Sequence, residues 1–269
     1  MNWHTTQRHI DVGRGKAGQA LGPPCNVFRV GASASGNYLD TAQQVGSGVR
    51  VHRKITHATP DLETSTRMES LFYKIYVDAT FWLVGDVFVE ADPFYGAGST
   101  MTTFAPQGPQ FEAYCLAFHG PTKATIAARV DRLANIFRPA LGATTDSEGT
   151  YFSETVGSGT ELPLVLSGGA FSFAAAGTTP TAVPVGVMST PRTFRPEFPG
   201  MPGSTELVHY FFYVPPLNGV DLREGDRILI DGINIAESSA GRYVVHGPWV
   251  QYAGVSGYQL VCKRMIGNA

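Results

Sequence analysis

Short runs of β-branched and aromatic residues, each ended by glycine or proline, set the limits on what this chain can fold into. It carries 31 glycines and 18 prolines in 269 residues. Inside a helix, glycine costs about 1 kcal/mol and proline about 3 kcal/mol relative to alanine, whereas both are ordinary between strands. The runs Leu71–Val77, Val87–Val89, Thr100–Phe104, Phe111–Phe118, Leu207–Val214, Gly241–His246 and Tyr258–Arg264 read as strands, with shorter ones at Cys25–Val30 and Val49–Thr56. Thr125–Phe137 fits two patterns. Ile126, Val130, Leu133 and Phe137 would share one helical face, yet Thr-Ile-Ala-Ala-Arg-Val also suits a strand. The expected fold is mainly β, with one or two small barrel or sandwich modules, long loops and an extended N-terminal arm.

Composition divides the chain into four parts. Residues 1–60 form a basic, glycine-interrupted arm and the first strands, and 61–138 a first β module. Residues 139–205, rich in Gly, Pro and Ser, form an insertion or connector, within which Leu162–Leu166 and Ala170–Ala176 read either as a hairpin on a long excursion or as an inserted small β unit. Residues 206–269 make a second β module. The two modules read alike: an aromatic-rich strand, a Gly-Asp turn into an apolar strand, another strand, and a last strand containing cysteine (Cys115 and Cys262). Gly85-Asp86 and Gly225-Asp226 are read as turn formers, each aspartate able to accept a hydrogen bond from its own turn backbone. The match is one of pattern rather than identity, which allows internal duplication without requiring it.

Charge points towards partners. Only 16 % of residues are charged, below the roughly 25 % of an average domain, and interface cores are depleted of charge. Residues 1–57 carry an excess of +5 while the remainder carries −7. Arg8, Arg14, Lys16 and Arg29 are therefore candidate contacts to a neighbouring subunit or to DNA, the plainer alternative being a solvated arm. The arm over 1–24 and much of 139–205 are poor in core formers and are expected to order only on assembly.

A search for chemistry yields no catalytic residue, metal ligand or cofactor site, and the expectation is a protein that is not an enzyme. Gly13-Arg-Gly-Lys16 is basic and glycine-rich but lacks the spacing of a phosphate-binding loop. His52 and His57 are spaced for neither a helical nor a strand ligand pair. Cys25, Cys115 and Cys262 form no CxxC and read as buried reduced thiols. Acid pairs such as Glu90/Asp92 sit beside turns, where acids are common. The aromatic clusters could stack on carbohydrate, but core and subunit interface account for them without polar sugar-orienting neighbours. No signal peptide or membrane-spanning run is read.

Three stretches together resemble a known group of proteins. Gly13-Arg-Gly-Lys-Ala-Gly-Gln-Ala-Leu-Gly22 followed by Asn26-Val-Phe-Arg29 resembles the start of virion proteins of tailed phages. Val84-Gly-Asp-Val-Phe-Val89, then Phe111-Glu-Ala-Tyr-Cys-Leu116 and a strand with Arg129, resembles a module of the same proteins. These are neck, collar or gateway components of contractile-tailed bacteriophages. The resemblance covers mainly residues 10–138, and the usual proline run before the cysteine is thinner here, with Pro106 and Pro109. It implies a homo-oligomeric ring at the head-to-tail interface, touching adjacent neck or tail proteins and packaged DNA in the lumen. It further implies a place in the virion after assembly in the host cytoplasm, away from membranes. A baseplate or tail-tip protein, or a receptor- or carbohydrate-binding module, would use similar β modules.

Overall fold

In a computed structural model, the described residues are 13, 22–31, 38, 43–55, 71–77, 81–90, 113–118, 125–130, 132–146, 149–154, 161–189, 209–230, 241–249 and 253–264. Among them the regular elements are seventeen strands. Seven belong to a first sheet: β1 (Pro24–Phe28), β2 (Gln44–Arg50), β3 (His52–Ile55), β4 (Phe72–Tyr76), β5 (Val87–Glu90), β6 (Ala113–Phe118) and β7 (Ile126–Arg129). The remainder are β8 (Arg132–Pro139), β9 (Leu141–Asp146), β10 (Gly149–Glu154), β11 (Glu161–Ser167), β12 (Ala170–Phe173), β13 (Val183–Ser189), β14 (His209–Val214), β15 (Arg227–Ile230), β16 (Gly241–Pro248) and β17 (Tyr258–Arg264). Thr125–Phe137 resolves into β7 and the start of β8, so the strand reading of this segment holds and the helical one does not. The expected strand at Thr100–Phe104 lies outside the described residues.

The expected mainly β architecture is what forms. Strands β8, β13, β14, β17, β16 and β15 are hydrogen-bonded in that order, and β15 pairs back to β8, closing a six-strand barrel. The first sheet runs β2-β1-β5-β6-β7-β4-β3. Its two edges are halves of one stretch interrupted only at Val51, so the sheet wraps until its edges are covalently continuous. Barrel closure removes the unpaired edges that open sheets must protect.

The two sheets have the same connectivity. The first half of β13 pairs with β8 and its second half with β14, as β2 pairs with β1 and β3 with β4. Matching strands also share register. Val27 faces Phe88 as Ile136 faces Ile228, and Phe88 faces Tyr114 as Ile228 faces Tyr243. Register thus equates Cys25-Asn-Val-Phe-Arg29 with Ala134-Asn-Ile-Phe-Arg138. Tyr73 meets Tyr114 edge-on at 5.3 Å, and their equivalents Tyr210 and Tyr243 meet edge-on at 5.0 Å. The cysteines do not correspond: opposite Cys115 in this alignment stands Val244, and opposite Cys262 stands Ala127.

Strand boundaries cut across the compositional ones. The strands expected beside the arm belong to the first barrel, and residue 138 falls inside β8, the opening strand of the second. Within 139–205, β9 and β10 pair with each other, β11–β12 is the hairpin foreshadowed by its two apolar segments, and β13 is an integral barrel strand.

Alternation separates two cores. Cys25, Val27, Ile75, Phe88, Tyr114 and Leu116 fill the first barrel. The opposite faces of the same strands, with Val87, Val89, Ala113, Cys115 and Ala117, join a larger cluster that includes Phe212, Tyr213, Ile228 and Tyr243 of the second barrel. Every residue from Ala113 to Ala117 is buried, which a strand achieves only when both faces are covered. The cover is close: Phe72 meets Tyr213 edge-on at 5.6 Å, and the Ser256 N–H donates to the Ala117 carbonyl at 2.7 Å.

Candidate functional site: two clamped turns

The Gly-Asp sequences stand at the same place in each barrel, where the chain enters β5 and β15. Gly85 and Gly225 adopt φ of +97° and +90°, a region open to glycine at little cost. Each turn then makes the same bonds. The Asp86 N–H donates to the Leu83 carbonyl and the Asp226 N–H to that of Arg223; Gly85 donates to Leu116 and Gly225 to Val245. The Asp86 carboxylate accepts from the Leu83 N–H at 2.8 Å, and the Asp226 carboxylate from the Arg223 N–H at 2.9 Å.

An arginine at the end of the barrel's first strand clamps each aspartate. Arg29 donates through Nε and Nη2 to the two carboxylate oxygens of Asp86, both at 2.7 Å. Arg138 does the same to Asp226, both at 2.8 Å. Both carboxylates are 1 % exposed, whereas the arginine side chains are 32 % and 18 % exposed. The planar guanidinium fork matches a carboxylate in a way lysine cannot. The hydrogen bonds to Asp86 raise the Arg29 pKa further above its ordinary value. Arg138 also donates to the Asp221 carbonyl at 2.7 Å and lies 4.0 Å from the Phe173 ring centre. Arg29, read from the sequence as a partner contact, thus has its fork engaged within its own barrel. Arg8, Arg14 and Lys16 lie outside the described residues.

The clamps hold the turns alike, but the turns present opposite chemistry. Residues 81–88 and 221–228 follow one pattern of exposure, position by position: exposed, half-buried, twice exposed, half-buried, then buried. In the second barrel the exposed positions are Asp221, Arg223 and Glu224. In the first they are Phe81, Leu83 and Val84, at 70 %, 56 % and 39 % exposure. Trp82 anchors this apolar turn, meeting Phe88 edge-on at 5.6 Å. Its ring also covers Gly46, where an added Cβ would lie 2.7 Å from the indole. Together with Val45, which precedes that glycine, these three are the large apolar residues exposed among the described residues.

Beside the second turn lies a groove of about 480 Å³ lined by Leu222, Val245, Pro248, Val255 and Leu260 together with Arg223, Glu224, Tyr258 and Gln259. Among the described residues no group of three or more His, Cys, Asp or Glu is placed to hold a metal. The three cysteines are buried, and none forms a disulfide. Burial pushes the Cys115 thiol up to about 12 and raises that of Cys262 further, so both stay protonated at neutral pH, unlike reactive cysteines.

The turns are legible in the sequence, whereas their clamps emerge only from the fold. The signal was present as Asn-Val-Phe-Arg at 26–29 and Asn-Ile-Phe-Arg at 135–138. It was hidden because the second copy fell at the end of a segment read as ambiguous. The apolar triplet gains its meaning only when its polar counterpart is aligned beside it. No family model, curated protein or solved structure matches the chain.

Proposed function

We propose that this chain is a structural virion protein of a tailed bacteriophage, assembled from many copies into a ring at the head-to-tail interface, with no catalytic role. The observation that carries the reading is the fusion of two like barrels through a buried apolar face. Such a face, with both sides of β5 and β6 covered, makes one stiff block from two small ones. A particle component that transmits load between neighbours needs that stiffness more than it needs a pocket or a mobile lid. Low charge and the resemblance of residues 10–138 to neck and gateway proteins point the same way.

The test is to ask where the protein sits. Antibodies raised against the purified chain are expected to label purified phage particles at the junction of head and tail. Quantitative mass spectrometry of those particles should give a ring-like copy number. Label confined to the distal end of the tail would move the protein to the baseplate. Absence from particles, or turnover of a cell-wall substrate by pure protein, would overturn the proposal.

A further inference from the structure

We propose that the Phe81–Val84 turn is a knob that docks into the groove beside the 221–226 turn of a second copy of this chain. The inference deepens the ring reading above and rests on it.

The repeated barrel supplies an internal control. The 221–226 turn has the same backbone bonds, clamp and exposure as the 81–86 turn, yet it carries Asp221, Arg223 and Glu224 at the exposed positions. The fold therefore does not require Phe81, Leu83 and Val84 to be apolar. Exposed aromatic and aliphatic groups gathered at one place mark a contact surface, and a protruding aromatic anchor is the usual centre of one.

The groove supplies the other half. Its lining is mainly apolar, from Leu222, Val245, Pro248, Val255 and Leu260, with Arg223 and Glu224 among its polar members. At about 480 Å³ it is at the small end of binding clefts, which run from roughly 300 to 1,000 Å³, and suits one or two side chains. It also continues a contact already made. The 253–257 loop that forms one wall turns its other side to the first barrel, where Ser256 bonds Ala117 and Gly254 lies beside Phe118. A neighbour seated in the groove would extend the surface by which the two barrels already join.

Knob and groove are both open within one chain and stand on different barrels of one block. Mating between copies is then either reciprocal about a two-fold axis or head-to-tail, and the ring reading selects the head-to-tail arrangement. Contacts of that kind close into rings or run on as fibres, whereas a two-fold contact would stop at a dimer.

The decisive variant gives the first turn the residues of the second: Phe81→Asp, Leu83→Arg, Val84→Glu. Because the same clamped turn already tolerates them, folding should be unaffected, as circular dichroism and melting temperature will report. Sedimentation equilibrium of the wild-type chain should show association that rises with concentration, and the triple variant should stay at the monomer mass of 28.9 kDa. Geometry is read by cross-linking. Gly247 lines the groove, and an added Cβ there meets nothing within 4 Å. A mixture of Val84→Cys and Gly247→Cys proteins, which keeps the Phe81 and Leu83 side chains, should form a mixed disulfide efficiently, and Val84→Cys alone should not. Unchanged association of the triple variant, a wild-type chain that stays monomeric throughout, or Val84→Cys linking to itself as readily as to Gly247→Cys would each overturn the docking. Those results leave the ring proposal to its own test in particles, since a ring built through other surfaces would still be found at the junction.

Discussion

At the scale of single residues, the clamp decides how firmly each turn is held. A buried carboxylate is tolerable only when its charge is met. Removing one partner of a buried ion pair costs about 3–5 kcal/mol, because the other charge is stranded. Asp226→Ala should approach the lower end of that range, since Arg138 is 18 % exposed. Asp86→Ala should cost less, because Arg29 is 32 % exposed and water can solvate it. Urea unfolding of both variants checks the order, and equal losses would show that the turn bonds matter more than the ion pair. A second prediction concerns alkaline pH. Burial raises the pKa of Tyr38 and Tyr213 well above that of an exposed tyrosine, and moves Cys115 from 9.0 up to about 12. All three are neutral when protonated. The unfolded chain gives up these protons first, so their contribution is complete below about pH 9 and is lost as the pH rises through the folded-state values. Melting temperature should therefore fall steadily above pH 9. Cys115→Val, which installs the residue found at the matching position of the second barrel, should make that fall shallower between pH 9 and 12.

At the scale of elements, the contact of β7 with β13 sets how closely the barrels approach. An added Cβ at Gly186 would lie 1.9 Å from the Arg129 carbonyl oxygen and 3.2 Å from Leu71 Cδ2. The first obstacle is backbone and cannot turn aside. Gly186→Ala should thus cost at least the roughly 1–3 kcal/mol typical of overpacking, seen as a lower urea midpoint with an unchanged slope. An alanine tolerated without loss would mean that the two barrels slide apart freely. Gly186 was invisible as a contact in the sequence, where it sits among Val183–Ser189 in a segment dominated by small residues and proline. What composition reveals is a strand whose own residues announce it, such as Leu71–Val77 or Tyr258–Arg264. It does not reveal β13, which is a strand because β8 and β14 flank it. The repeat was half legible for a similar reason. Gly-Asp turns are conspicuous, but β9–β12 are inserted between β8 and β13 of the second copy alone. No single spacing then aligns the two copies, and the Asn-Val-Phe-Arg and Asn-Ile-Phe-Arg matches drift out of step with the turns. Phe81 was legible only as one of the aromatic residues divided between core and subunit interface, since alternation cannot say which side of a turn meets water.

At the scale of the whole molecule, the shared core makes one cooperative unit of two barrels. Val87, Val89, Ala113, Cys115 and Ala117 complete a cluster whose other members include Leu164, Phe171, Phe212, Tyr213 and Tyr243. If the barrels came apart, the outer face of β5 and β6 would be exposed to water as a continuous apolar strip. Each buried apolar side chain of that strip is worth on the order of 1.5–3 kcal/mol for the larger residues and less for alanine. Their sum is comparable with the 5–15 kcal/mol that stabilises a typical domain. Independent unfolding of either barrel would forfeit most of that sum, so neither should melt while the other stands. The wild-type chain is expected to give a single calorimetric transition, with van't Hoff and calorimetric enthalpies in agreement. Residues 1–130 produced alone should be aggregated or bind a hydrophobic dye strongly, because the strip has lost its cover. Two separated transitions, or a soluble first barrel with a melting temperature near that of the full chain, would show that the barrels are independent beads. The stiffness invoked for a load-bearing ring component would then have to come from its neighbours.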